Sequence, residues 1–171
     1  TSMICKLVAE FYQEERRILI LSDRRNHLDE IKTWCDTNIC PSGLYVGGMK
    51  PNELRDSQEK DIILGTFSMA AEGMDIPKLN TIILASPKSD IVQAVGRILR
   101  EKPNERTHKP LIVDILDTHE NFSVFQRQYK KRLSHYQKMD YSITLTKVDG
   151  TCNPIVKKKR GKTKKIYESN I

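Results

Sequence analysis

The sequence is short of most features that would place it in a specialised class. Among 171 residues there is one tryptophan, and the four cysteines (Cys5, Cys35, Cys40, Cys152) form no C-x-x-C pair. That spacing argues against a zinc site or a disulfide framework and leaves a reducing cytosolic or nuclear setting as the default. No apolar run approaches the ~20 residues that a membrane span needs. Thr1-Ser2 ahead of Met3 reads as a cloning remnant, not as the start of a secretory signal. No internal repeat is present. Apolar residues at 38% and charged residues at 30% exclude a mostly disordered chain. What is left is one domain with a full hydrophobic core.

The net charge of +7 is unevenly placed, because seven of the 29 basic residues fall in residues 157–165 (KKKRGKTKK). The body of the chain is therefore close to neutral. A run beginning Lys157, Lys158, Lys159, Arg160 favours polyanions through counterion release but reads no base sequence. A solvated terminus or a localisation signal accounts for it equally well. Residues 151–171 are expected to be a basic, flexible tail behind a domain of residues 1–150.

Short apolar runs alternate with helical patterns. Residues 17–22 (RILILS), 44–46, 61–64 (DIIL), 81–85 (TIILA) and 111–116 (LIVDIL) read as strands buried on both faces. Asn26 is placed to cap a helix carrying Leu28, Ile31 and Cys35. A short helix follows Gly65-Thr66, another spans 90–100, and a long one spans 121–138. Residues 142–148 alternate as a strand expected at a sheet edge. The pattern predicts an open α/β domain with a parallel sheet covered on both sides. Ligands in such sheets bind beyond the carboxyl ends of the strands, here residues 22–25, 47–50, 65–68 and 86–89.

Two stretches carry candidate chemistry. In Gln93-Ala-Val-Gly96-Arg97-Ile-Leu-Arg100, helical geometry gathers Gln93, Arg97 and Arg100 within an arc of roughly 60°. Ile91, Val92, Val95, Ile98 and Leu99 are expected on the core side. Gly96 beside the polar arc leaves room for a backbone or a phosphate. Two guanidinium groups one turn apart suit a polyphosphate; a solvated basic face making surface salt bridges is an equally good account of the spacing alone. The second stretch runs from Gly65 to Pro77. Thr66 and Ser68 stand where free N–H groups favour anions, Gly73 ends the helix, and Asp75 follows. Taken alone, it is an ordinary strand-helix-turn.

Together the two stretches resemble motifs V and VI of the second RecA-like lobe of superfamily 2 helicases and translocases. Thr66…Glu72-Gly73-Met74-Asp75 is similar to motif V, and Gln93-x-x-Gly96-Arg97-x-x-Arg100 matches motif VI at each fixed position. Residues 18–27 (ILILSDRRNH) resemble motif IV, and residues 45–50 (YVGGMK) resemble the stretch that follows it. The resemblance covers residues 17–136. It is nearest to the transcript-release helicases of large cytoplasmic DNA viruses and the related phage branch-migration helicases. It implies a RecA-like open parallel sheet with helices on both faces. It further implies that Arg97 and Arg100 act as arginine fingers on an ATP held mainly, with Mg²⁺, by another lobe of the same polypeptide. Gln93 would join the network linking nucleotide state to closure, with Gly73, Asp75 and Gly96 beside the nucleotide. Thr66 and Ser68 would hold a nucleic-acid backbone, with Arg24, Arg25 and His27 as further strand contacts. A viral member would work in the host cytoplasm or the virion, with the nucleus as the alternative.

The chain has no G-x-x-x-x-G-K-[ST] loop; Arg160-Gly161-Lys162-Thr163 copies only its ending. It also has no D-E-x-[DH] stretch for Mg²⁺. Asp114 and Asp117, three apart on a strand, point to opposite faces and make a poor metal pair. On the long helix, Phe122, Phe125, Tyr129, Leu133 and Tyr136 form a stripe expected to pack into the core. Arg127, Lys130, Lys131 and Arg132 are read as an opposite face that is solvated or follows a phosphate backbone. The rival to the helicase-lobe reading is a non-catalytic nucleic-acid module on the same scaffold.

Overall fold

A computed structural model describes residues 1–72, 74, 76, 78–98, 107–117, 123–147, 152–155 and 163–169, with backbone alone at 97–98, 117, 123, 147, 152–155 and 163–169. Five parallel strands form its centre: β1 (Ile18–Leu21), β2 (Gly43–Tyr45), β3 (Ile62–Gly65), β4 (Thr81–Leu84) and β5 (Leu111–Asp117), in the order β2-β3-β1-β4-β5. β1 is the middle strand, with Ile18 in register with Ile62 on one side and Thr81 on the other. Every residue of β1, β3 and β4 is buried. That is why these strands read as unbroken apolar runs.

Alternation along the strands divides the core in two. Ile18, Ile20, Ile62, Leu64 and Ile83 face α1 (Ser2–Gln13) and α2 (Arg25–Asn38). Leu19, Leu21, Ile63, Ile82 and Leu84 face α4 (Phe67–Glu72), α5 (Val92–Ile98) and α6 (Ser123–Lys138). Helices thus cover both faces, as the open α/β reading requires. Trp34 is a partly buried packing residue against the first cluster.

Several details differ from the sequence expectations. α1 was not foreseen, although Ile4, Leu7, Val8 and Phe11 bury one helical stripe. α3 (Pro51–Gln58) was not foreseen either; Pro51 opens it, and Glu53 Oε2 accepts the Lys50 amide at 2.8 Å. Asn26 does not cap α2. Arg24 stands at the cap without a side-chain cap bond, and its own amide donates to Ser22 Oγ at 3.1 Å.

The strand predicted for 142–148 is β6 (Ser142–Lys147), and it is not at an edge. It lies between β7 (Cys152–Ile155), antiparallel to it, and β8 (Thr163–Ser169), parallel to it. β8 also runs parallel to β5, giving one eight-stranded sheet. Two parts of the stretch expected to be a flexible tail are therefore strands. The lysines of residues 157–165 masked the β-favouring Thr163, Ile166 and Tyr167 beside and within them.

β2 and α3 approach so closely that Gly43 has no room for a side chain. A Cβ there would stand 2.5 Å from the Ser57 carbonyl oxygen and 2.7 Å from its Cα. Gly43→Ala should therefore lower stability by about 1–3 kcal/mol, the usual cost of overpacking. Urea denaturation measures this, and an unchanged midpoint would show that α3 yields freely.

Candidate functional site

The carboxyl ends of the parallel strands gather most of the described residues singled out in the sequence. Beyond β1, Ser22 is fully buried and Asp23 donates its amide to Ser86 Oγ at 3.0 Å. Beyond β3, Thr66 opens α4: its carbonyl accepts the Ala70 amide, and its hydroxyl lies 3.3 Å from that of Ser68. Beyond β4, residues 85–91 lead into α5, where Asp90 Oδ1 accepts the Val92 amide at 3.2 Å.

Among the described residues, two hollows lie at this edge. One, of about 190 Å³, is lined by Phe67, Ser68 and Ala71 of α4, by Lys88 and Asp90, and by Gln93 and Ala94 of α5. The motif V and motif VI candidates Ser68 and Gln93 therefore share one concavity. The other, of about 720 Å³, is more open and is lined by Arg24, Arg25, Asn26, His27 and Glu30 of the α2 start, with Thr1 and Ala85. Burial lowers the His27 pKa, with the amino-terminal charge and Arg24 acting the same way against Glu30.

Ile91, just before α5, and Ala94 and Val95 on it face the core, while Gln93 and Gly96 are exposed. Val92 is 48% exposed, a correction to its expected place in the core. At 100° per residue it sits on the flank of a buried arc centred on Ile91, on the side where Gly96 lies. A Cβ built on Gly96 meets no described atom within 4 Å. Nothing among the described residues therefore demands glycine there, although glycine within a helix costs about 1 kcal/mol. Arg97 belongs to α5 by its backbone. Gly73, Asp75, Arg100 and Lys157 through Arg160 lie outside the described residues, as does the side chain of Arg97.

The sequence reading missed the polar contacts behind this edge. Arg132, grouped with the solvated face of α6, is only 2% exposed. Its Nε and Nη2 donate to the two carboxylate oxygens of Asp114 at 2.8 and 2.9 Å, and its Nη1 donates to the Lys88 carbonyl at 2.7 Å. Tyr136 Oη donates to Asp114 Oδ2 at 2.9 Å. Burial alone would lower the Arg132 pKa, but the Asp114 carboxylate outweighs it and the net shift is upward. Burial also pushes the Tyr136 phenol well above its usual value, with Asp114 adding to the effect. The expected core role of the aromatic stripe holds for Tyr136, which is fully buried, and for Tyr129 and Leu133, partly buried against the same cluster. Phe122 lies outside the described residues.

Lys88 bridges this interior to the rim. Its Nζ pairs with Asp23 at 2.8 Å and lies 5.5 Å from the centre of the Phe67 ring. The exposed Lys88–Asp23 pair contributes about 0–1 kcal/mol. Removing one partner of a buried pair such as Asp114–Arg132 costs about 3–5 kcal/mol, because the other charge is stranded.

No group of three or more His, Cys, Asp or Glu able to hold a metal occurs among the described residues. Among them, too, no helix is long and apolar enough to cross a membrane. The thiol of Cys35 is buried and pushed up to about 12, which makes it a packing group and not a nucleophile. Gln93 and Gly96 lie exposed on the side of α5 away from the core.

This arrangement agrees with known proteins. The helicase conserved C-terminal domain model matches residues 1–102, and the chain belongs to that family. A protein of Acanthamoeba polyphaga mimivirus named "Putative ATP-dependent RNA helicase" is 38% identical over 143 residues, which is 82% of this chain and 27% of that protein. An African swine fever virus protein bearing the same description is 31% identical over 101 residues, 58% of this chain and 19% of that protein. The chain thus spans about a quarter or less of these viral relatives. The crystal structure of T4 UvsW superposes with a TM-score of 0.61 at 18% identity, over 80% of this chain and 32% of that one. The C-terminal part of the Fun30 ATPase domain gives 0.61 at 14% identity, over 75% and 43%. These likenesses establish the RecA-like fold.

A pH prediction follows from His27. Its folded pKa lies below the unfolded value of about 6.5, so folding is opposed as pH falls through that value and unaffected above it. His27→Gln should therefore lose less stability than the parent between pH 7 and pH 5.5, as measured by urea midpoints. An equal loss would show that His27 does not titrate in this way.

Proposed function

We propose that this chain is the C-terminal lobe of an ATP-dependent nucleic-acid helicase or translocase, working with an N-terminal RecA-like lobe of the same polypeptide. The observation that carries the reading is the exposed side of α5. Glycine stands inside a helix with no described atom in the place of its side chain, next to exposed Gln93 and at the head of the Gly96-Arg97-x-x-Arg100 run. A partner surface or a phosphate coming close to this face gives that glycine a reason that the described residues do not supply.

Bound ATP, with its Mg²⁺, supplies the phosphoryl group whose transfer to water powers the cycle. In this reading the partner lobe holds most of it. Arg97 and Arg100 neutralise charge on the phosphates, and Gln93 hydrogen-bonds across the cleft and ties nucleotide state to closure. Gly73 and Asp75 flank the nucleotide. Phosphoryl transfer is catalysed chiefly by positioning and charge stabilisation, so such arginines can contribute about 10³–10⁵ in rate. Thr66 and Ser68 grip a strand backbone through their hydroxyls. Arg24, Arg25 and His27, in the neighbouring hollow, extend the grip, as do Lys157, Lys158, Lys159 and Arg160. These contacts are to phosphate and carry no base readout. The viral relatives' names favour RNA as the substrate; transcript release in the host cytoplasm as the setting rests on the resemblance of the motifs to the transcript-release helicases.

The test is made in the full-length protein. Arg97→Ala and Arg100→Ala should each cut nucleic-acid-stimulated ATP turnover by at least about 100-fold while leaving single-strand affinity within about threefold. Normal turnover in both variants would favour the non-catalytic binding module instead.

A further inference from the structure

The connection from β4 to α5 is held from two sides, and the two holds are unequal. On the rim, Asp23 takes the Ser86 hydroxyl through its amide and the Lys88 ammonium through its carboxylate. These groups are partly exposed, and water competes for them. From the interior, Arg132 Nη1 donates to the Lys88 carbonyl at 2.7 Å from a side chain 2% exposed. The rest of that guanidinium is fixed by both oxygens of Asp114, which is itself fully buried and also accepts the Tyr136 hydroxyl. Tyr129, one turn earlier on α6, lies under the guanidinium at 6.0 Å.

Only a planar, permanently charged fork can satisfy a carboxylate edge-on and still present a third donor to a main-chain carbonyl. Lys88 lies four residues before Val92, the first residue of α5, and between them the Asp90 carboxylate accepts the Val92 amide. Fixing the Lys88 carbonyl therefore fixes where α5 begins and how its exposed face is aimed.

We infer that Arg132, clamped by Asp114 and Tyr136, is a positioning residue that holds the 85–91 connection and so aims α5 at the nucleotide. It touches neither nucleotide nor nucleic acid. This inference rests on the proposed role of α5. A misaimed finger lowers the rate of the chemical step and leaves binding alone, whereas a merely structural residue would loosen the whole domain.

The test uses the full-length protein with Arg132→Lys, which keeps the charge beside Asp114 but loses the fork, and with the milder Tyr136→Phe. Two readouts are taken, steady-state turnover and amide hydrogen exchange. Arg132→Lys should lower kcat about tenfold, with the KM for ATP and the single-strand affinity within twofold of the parent. Exchange should quicken in residues 85–98 and stay unchanged in β1 and β3. Tyr136→Phe should give the same local pattern with a two- to threefold loss of kcat, and it decides the matter if Arg132→Lys does not fold. Unchanged kcat in a folded variant, or faster exchange spread evenly through the sheet, would overturn the inference. If Arg97→Ala and Arg100→Ala turn out harmless, the proposed function fails instead, and the exchange pattern alone then decides whether Arg132 holds α5.

Discussion

A parallel sheet covered on both faces leaves its function a single place to go. β1, β3 and β4 are buried along their whole length, α1 and α2 close one face, and α4, α5 and α6 close the other. Side chains that must meet a ligand are thereby confined to the segments leaving the strands. Both hollows at the carboxyl edge, and the residues brought together there from α2, α4 and α5, follow from that confinement. The packed interior sets the distances; the loops set the chemistry.

The interior is not wholly apolar. A buried ion pair is weak evidence for stability, since packed hydrophobic residues of similar volume often serve as well. Its value lies in directing a main-chain contact that apolar side chains cannot make. Asp114 on β5, Arg132 and Tyr136 on α6, and the Lys88 carbonyl form a network that joins β5 and α6 to the segment leading into α5 on the same face of the sheet. Such networks specify one arrangement because a partly satisfied one is costly.

The strands were legible in the sequence because burial on both faces writes itself as unbroken Ile and Leu. Ser68 and Gln93, singled out from separate stretches of the sequence, line one hollow. Other features were hidden for definite reasons. Arg132 was read with Lys130 and Lys131 as part of a basic face. Its spacing of four from Tyr136 and three from Tyr129 put it on the aromatic stripe, and an aspartate inside an apolar strand was the available sign of its partner. Val92 was assigned by hydrophobicity when its angle on the helix put it at the flank. The strand in residues 163–169 was obscured by its lysines, because charge was weighed ahead of the Ile166-Tyr167 pair.

The most direct measurement of the central claim is a crystal structure of the full-length protein with a transition-state mimic of ATP and a single strand. The account predicts α5 facing the cleft, with the guanidinium groups of Arg97 and Arg100 at about 2.7–2.9 Å from the oxygens standing for the γ-phosphate. A nucleotide enclosed by the other lobe alone, with the Gln93–Gly96 face of α5 turned to solvent, would contradict it.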